Sequence, residues 1–175
     1  MTTENELKGK ALLQKEMNEF LEDPDTCDLF GVDYWDEDNP NILSWRITMM
    51  GPIGTFYEGG YFLIKADFDE NYPVSKPTVR FKTKIYHTNV NQTNGHICLT
   101  TLNNWNNTEI RPKMKEVFED IIFILCNQNA QRGYSNNITE EYKKDLQKFE
   151  NSAQEWCKKY ANVNDYDEPK YFYSS

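Results

Sequence analysis

At roughly 150 residues per domain, a chain of 175 residues is one domain and leaves no room for a second catalytic unit. With 38% apolar and 14% aromatic residues it can bury a core, which excludes global disorder and collagen-like or repeat architectures. The net charge of −9 repels phosphate backbones and speaks against non-specific nucleic-acid binding. In chain order, Leu13, Met17, Phe20 and Leu21 recur at i, i+4, i+7 and i+8, which predicts an amphipathic helix over 4–22 that Pro24 ends. Residues 29–34 read as a strand and 36–41 as a turn. Leu43, Trp45, Ile47 and Met49 then alternate with polar residues, and after the glycines at 59 and 60 Phe62, Ile64, Ala66 and Phe68 alternate with Tyr61, Leu63, Lys65 and Asp67. Val79 and Phe81 mark a fourth strand, and connections this short require antiparallel neighbours.

Residues 85–108 show neither helical nor strand periodicity and hold seven asparagines, while Ile97, Leu99, Leu102 and Trp105 anchor the segment. Pro112 suits a first helical turn, and Met114, Val117, Phe118, Ile121 and Leu125 form the stripe of a central helix. After a polar link at 127–137, Thr139 is placed to cap a last helix carrying Tyr142, Leu146, Phe149, Ala153, Trp156 and Tyr160. The expected domain is 4–161, followed by an acidic, tyrosine-rich tail at 162–175 that is expected to be mobile. The longest strongly apolar run, 121–126, falls well short of the roughly 20 residues that span a bilayer, and no apolar leader follows Met1. A soluble cytoplasmic or nuclear protein is therefore expected, with no membrane contact.

Ten acids and no base lie between Glu16 and Asp38, whereas 71–108 contains no acid and both histidines, His87 and His96. Cys98 sits in that acid-free stretch, a setting in which a thiol can do chemistry. The four cysteines (27, 98, 126 and 157) form no CxxC pair, so each is read singly. His87, His96 and Cys98 offer three close ligands and no fourth at a recognised spacing, so no metal is expected. Nucleotide, serine-hydrolase and zincin motifs are absent, and His96 lies only two residues from Cys98, unlike the distant segments that build a protease dyad.

Three stretches carry a resemblance: WRITMMGPIGTFYEGGYF at 45–62, NYPVSKPTVRFKTKIYHTN at 71–89, and NGHICL at 94–99, before Leu102 and Trp105. In order and spacing they resemble the ubiquitin-conjugating enzymes, over about residues 8–161. The resemblance implies that family's α+β fold: an N-terminal helix, a four-stranded antiparallel meander sheet, an active-site loop, a central helix and a C-terminal helix. It implies that Cys98 accepts ubiquitin from an activating enzyme as a thioester and passes it to a lysine, usually with a ligase. A ubiquitin-like modifier of SUMO or NEDD8 type, and a binding-only variant that partners another conjugating enzyme, are the alternatives; such variants usually lack the cysteine, which this chain retains.

By the same resemblance, Asn89 is the asparagine of a His-Pro-Asn motif, which stabilises the oxyanion or holds the loop, and His87 and Tyr86 are structural anchors. Thr88 stands where that motif has proline. Thr100, Arg132 and Tyr134 fall at the gate for the incoming lysine, where Thr100 and Arg132 replace residues that are often acidic. Lys8, Lys10 and Lys15 fall where the family meets the activating enzyme, or else form an ordinary solvated helix face. Val74, Asn106 and Asn107 fall on the ligase-facing rim, with less apolar area than is usual there. No cofactor is implied, since the activating enzyme consumes the ATP, and a monomer is expected.

Overall fold

The computed structural model describes residues 4–23, 28–107, 111–128, 130, 131, 133, 134, 136–162 and 173. Among these, helix α1 (Glu4–Glu22) precedes strands β1 (Phe30–Tyr34), β2 (Ser44–Met50), β3 (Tyr61–Asp67) and β4 (Thr78–Phe81). A short helical turn, α2 (Thr100–Asn103), leads to α3 (Met114–Cys126), α4 (Asn136–Lys144) and α5 (Leu146–Tyr160). The strands form the antiparallel meander β1-β2-β3-β4, as the short connections require. Its register lines up Val32, Ile47, Ile64 and Phe81 as one row across the sheet, and Tyr34, Trp45, Ala66 and Val79 as the next. A one-residue slip would turn these rows toward solvent, so their burial specifies the pairing.

Helices cover this apolar face. Phe20 of α1 and Phe30 of β1 meet Phe118 of α3, with ring centroids 4.7 and 5.2 Å from it, so three elements close on one aromatic cluster. The stripe of α3 is buried as its periodicity predicts, and Ile124 joins it. Lys113 offers no acceptor at the head of α3; instead Glu116 accepts its N–H at 2.6 Å and buried Glu16 accepts the Met114 N–H at 2.8 Å. Glu16 also accepts from the Tyr72 hydroxyl at 3.0 Å, and burial raises its carboxyl above the ordinary range. These carboxylates set the helix start at Met114, so Pro112 lies before the cap rather than in the first turn.

The C-terminal region differs from the single helix expected. Asp145 leaves helical geometry (φ −146°, ψ 78°) and accepts the Lys148 N–H at 3.0 Å, so it ends α4 and caps α5. Thr139 is no cap; it lies inside α4, and its buried hydroxyl has no hydrogen-bond partner among the described residues. Leu146, assigned to the apolar face, opens α5 at 52% exposure, because the helix break rotates it away from the stripe. Phe149 is fully buried against Phe56, Tyr86 and Tyr142.

The tail departs from expectation at Tyr173, which is buried rather than mobile. Its N–H donates to the Lys82 carbonyl at 2.9 Å, its hydroxyl donates to the Ile85 carbonyl at 3.0 Å, and the Ile85 N–H donates back to that oxygen at 3.2 Å. Gly95 (φ 72°) makes room: a Cβ there would stand 2.7 Å from the ring and 2.0 Å from the Phe81 carbonyl oxygen. Tail residues 163–172, 174 and 175, and Pro24, lie outside the described residues. Tyr173→Phe keeps the ring and orphans the buried Ile85 N–H, a loss of about 1–3 kcal/mol. Urea unfolding should show a lower midpoint with an unchanged slope, and an unmoved midpoint would mean that the hydroxyl contributes nothing.

Candidate active site

The segment from Ile85 to Leu99 has little regular structure, so its backbone polar groups need individual partners. His87 meets part of that need and ties the segment to a helix. Its ring is fully buried: Nδ1 accepts the Asn89 N–H at 2.9 Å, and Nε2 faces the Ile124 carbonyl at 2.9 Å. A backbone N–H can only donate, so Nδ1 is bare and Nε2 carries the proton given to Ile124. Ile124 lies in the last turn of α3, where carbonyls lack helical partners, so the imidazole fills a vacancy that the helix end creates.

Cys98 is half-buried, and its N–H donates to the Asn89 carbonyl at 2.9 Å, which sets the two residues side by side. The Asn103 amide donates to Cys98 Sγ at 3.4 Å. Of the other described cysteines, Cys126 is exposed on α3, and Cys157 is buried with its thiol donating to the Tyr57 carbonyl and its pKa pushed up to about 11 by burial. Asn89 is buried, with its amide oxygen 3.0 Å from the Thr88 hydroxyl. Tyr86 anchors the loop from the far side: its hydroxyl donates to Glu141 at 2.9 Å and its ring packs on Phe149 and Trp156. Burial, then Glu141, push that phenol up to about 12.

Two of the three residues expected at the lysine gate, Tyr134 and Thr100, are described. Tyr134 donates its N–H to the Thr88 carbonyl at 2.8 Å, and its half-exposed phenol is pushed up by burial and then by nearby Cys98. Thr100 is the exposed first residue of α2, and Arg132 lies outside the described residues. The segment that is acid-free in sequence gains an acid in space, because Asp120 of α3 accepts the Thr101 N–H and hydroxyl, both at 2.8 Å, and so caps the turn that follows Cys98. Gln128, Gln92 and Asn103 brace the loop but carry no periodicity or motif that would single them out in sequence. Gln92 donates to the carbonyls of Ile85 at 3.1 Å and Val90 at 3.0 Å.

The two expected partner surfaces converge. Asn5, Lys8, Gly9 and Leu12 of α1 face residues 71–75 across a groove of about 540 Å³, with Val74 61% exposed at its edge. Arg111 donates to the Val74 carbonyl at 3.3 Å and to Asn106, holding the rim together. Asn107 closes a turn onto Asn104. Lys8, Lys10 and Lys15 pair with Glu4, Glu6 and Glu19 on their own helix.

Comparison with known proteins agrees with this architecture. The family model described as ubiquitin-conjugating enzyme matches residues 12–157. Ubiquitin conjugating enzyme E2 B of Dictyostelium discoideum is 34% identical over 152 residues, covering 85% of this chain and 95% of that protein. A crystal structure from Plasmodium yoelii, provisionally assigned as a ubiquitin conjugating enzyme, superposes with a TM-score of 0.77 at 25% identity, covering 93% of this chain and 98% of the other. The chain belongs to the ubiquitin-conjugating enzyme family, transferases that carry ubiquitin as a thioester and work with an activating enzyme and ligases.

Burial holds the His87 pKa at about 4, against 6.5 for a free imidazole. The unfolded chain therefore binds this proton first as pH falls. The stability that His87 contributes is complete above pH 6.5 and drops by roughly 3 kcal/mol as pH falls from 6.5 to 4. In His87→Gln that arm of the pH dependence should vanish, whatever the variant's stability at neutral pH. Urea midpoints taken between pH 7 and 4 test this, and an unchanged slope would assign the acid sensitivity to other groups.

Proposed function

We propose that Cys98 is the acceptor thiol. The observation that supports the reading is the Cys98 N–H to Asn89 carbonyl bond, which joins the backbone of a half-buried cysteine to that of Asn89 on a braced loop. In charging, the Cys98 thiolate attacks the ubiquitin carbonyl held as a thioester on the activating enzyme; a new C–S bond forms and the activating enzyme's thiolate leaves. In discharge, a neutral lysine amine attacks the Cys98 thioester, and collapse of the tetrahedral intermediate expels the thiolate and leaves an amide, the amine's proton passing to solvent. The thioester is already activated toward amines, so neither step asks for a metal or nucleotide on this chain.

Asn89 is the proposed oxyanion donor. His87 supports loop geometry rather than proton transfer, because both ring nitrogens are engaged and its pKa lies far below neutrality. Tyr134 and Thr100 border the lysine's approach. The groove between α1 and residues 71–75 is the proposed docking surface for the activating enzyme through Lys8, with Lys10 and Lys15 further along α1, and for a ligase through Val74 and the Asn106–Asn107 rim. The chain is proposed to act as a monomer in the cytoplasm or nucleus.

Incubation with activating enzyme, ATP and ubiquitin should give a reductant-labile adduct of one ubiquitin, lost in Cys98→Ala and kept when Cys126 or Cys157 is changed to Ala. An adduct surviving in Cys98→Ala would overturn the assignment, and charging only by a SUMO or NEDD8 pathway would redirect the modifier. Asn89→Ala should form the thioester yet discharge to lysine about 100- to 1000-fold more slowly, the loss typical of one oxyanion donor. An unchanged single-turnover rate would remove Asn89 from the chemistry.

A further inference from the structure

Thr88 is fully buried between His87 and Asn89, and its N–H and hydroxyl both turn to one side chain. Its hydroxyl lies 2.9 Å from Gln128 Oε1, and its N–H points to the same oxygen at 3.4 Å. The Gln128 carboxamide is oriented by its other end: Nε2 donates to the Tyr57 hydroxyl at 2.7 Å, which spends its one proton on the Tyr86 carbonyl at 2.8 Å. Gln128, just beyond α3, thus ties residues 57, 86 and 88 together. The Thr88 hydroxyl is also 3.0 Å from Asn89 Oδ1, so its proton lies between two amide oxygens in a three-centre arrangement. With the Gln128 corner pinned, the Thr88 oxygen is pinned, and with it the oxygen edge of the Asn89 carboxamide.

We propose that Gln128 is a positioning residue for lysine transfer, acting through Thr88 to orient the Asn89 amide. The inference rests on the reading of Asn89 as oxyanion donor. A threonine has two backbone torsions to restrain, and here the restraint comes from Gln128; a proline would fix φ by itself and offer neither N–H nor hydroxyl. Orientation matters because the donor must point at the place where negative charge develops, and a displacement of about 1 Å costs up to about 100-fold in rate.

The test is single-turnover discharge of purified Cys98 thioester to free lysine, with rates taken to saturating lysine. Gln128→Ala should lower the saturated rate about tenfold with little change in the lysine concentration at half-maximum, because it misorients a group acting in the transition state. Thr88→Val, nearly isosteric but lacking the hydroxyl, should fall similarly, and Thr88→Ser should keep the parent rate. In Thr88→Pro or Asn89→Ala backgrounds, Gln128→Ala should have no further effect, since its route to Asn89 is already cut. A purely structural role would instead multiply with Asn89→Ala, and that result, or a Gln128→Ala rate equal to the parent's, would overturn the proposal. Should Gln128→Ala fail to fold, Thr88→Val against Thr88→Ser decides the same question. Normal discharge by Asn89→Ala would instead overturn the oxyanion reading itself, so the two failures are distinguishable.

Discussion

The imidazole of His87, held between the Asn89 N–H and the Ile124 carbonyl, is the contact on which the rest of the site depends. A loop without a ladder can hold a fixed shape only if its buried donors and acceptors find partners one at a time. The end of α3 supplies carbonyls without helical partners, and a neutral histidine with one donor and one acceptor nitrogen joins helix and loop in a single step. Protonation would abolish the acceptor and place a charge in a dry interior, so the joint works because burial keeps the ring neutral. From this joint the geometry propagates: the Asn89 carbonyl receives the Cys98 N–H, and the Thr88 carbonyl receives the Tyr134 N–H.

The loop is braced from two further directions. On one side Gln92 and Tyr173 satisfy Ile85, so a residue near the C-terminus completes the wall of the domain. On the other, Gln128 and Tyr57 hold residues 86 and 88. Such reinforcement suits an acyl transfer whose carbonyl arrives activated. The protein need not make a strong base; with Cys98 as the proposed acceptor and Asn89 as the proposed oxyanion donor, what is required is that an amide and a thiol keep a fixed relation while ubiquitin is loaded and removed. Electrostatic stabilisation by a neutral donor is effective only when the donor does not reorganise as charge develops.

Much of the fold was legible because its causes are local and periodic. The 3.6-residue stripes of α1 and α3 and the twofold alternation of β2 and β3 report which face is buried, and short connections force antiparallel order. The readings that failed depended on distant partners. Whether Pro112 lies inside the helix turned on Glu16, almost a hundred residues earlier, which takes the Met114 N–H. Whether the C-terminal helix is continuous turned on Asp145 leaving helical geometry, which its side chain permits but its neighbours in sequence do not announce.

The same division holds for function. The sequence by itself determined the family and singled out the thiol at 98, the asparagine at 89 and the departure at 88 as candidates, because residue types at fixed spacing survive as a readable pattern. Only the tertiary structure decided what steadies that departure, which nitrogen of His87 carries the proton, and where Tyr173 docks. Each of these is settled by a hydrogen-bond partner from another part of the chain, and the identity of such a partner depends on packing in three dimensions, which a one-dimensional pattern does not encode.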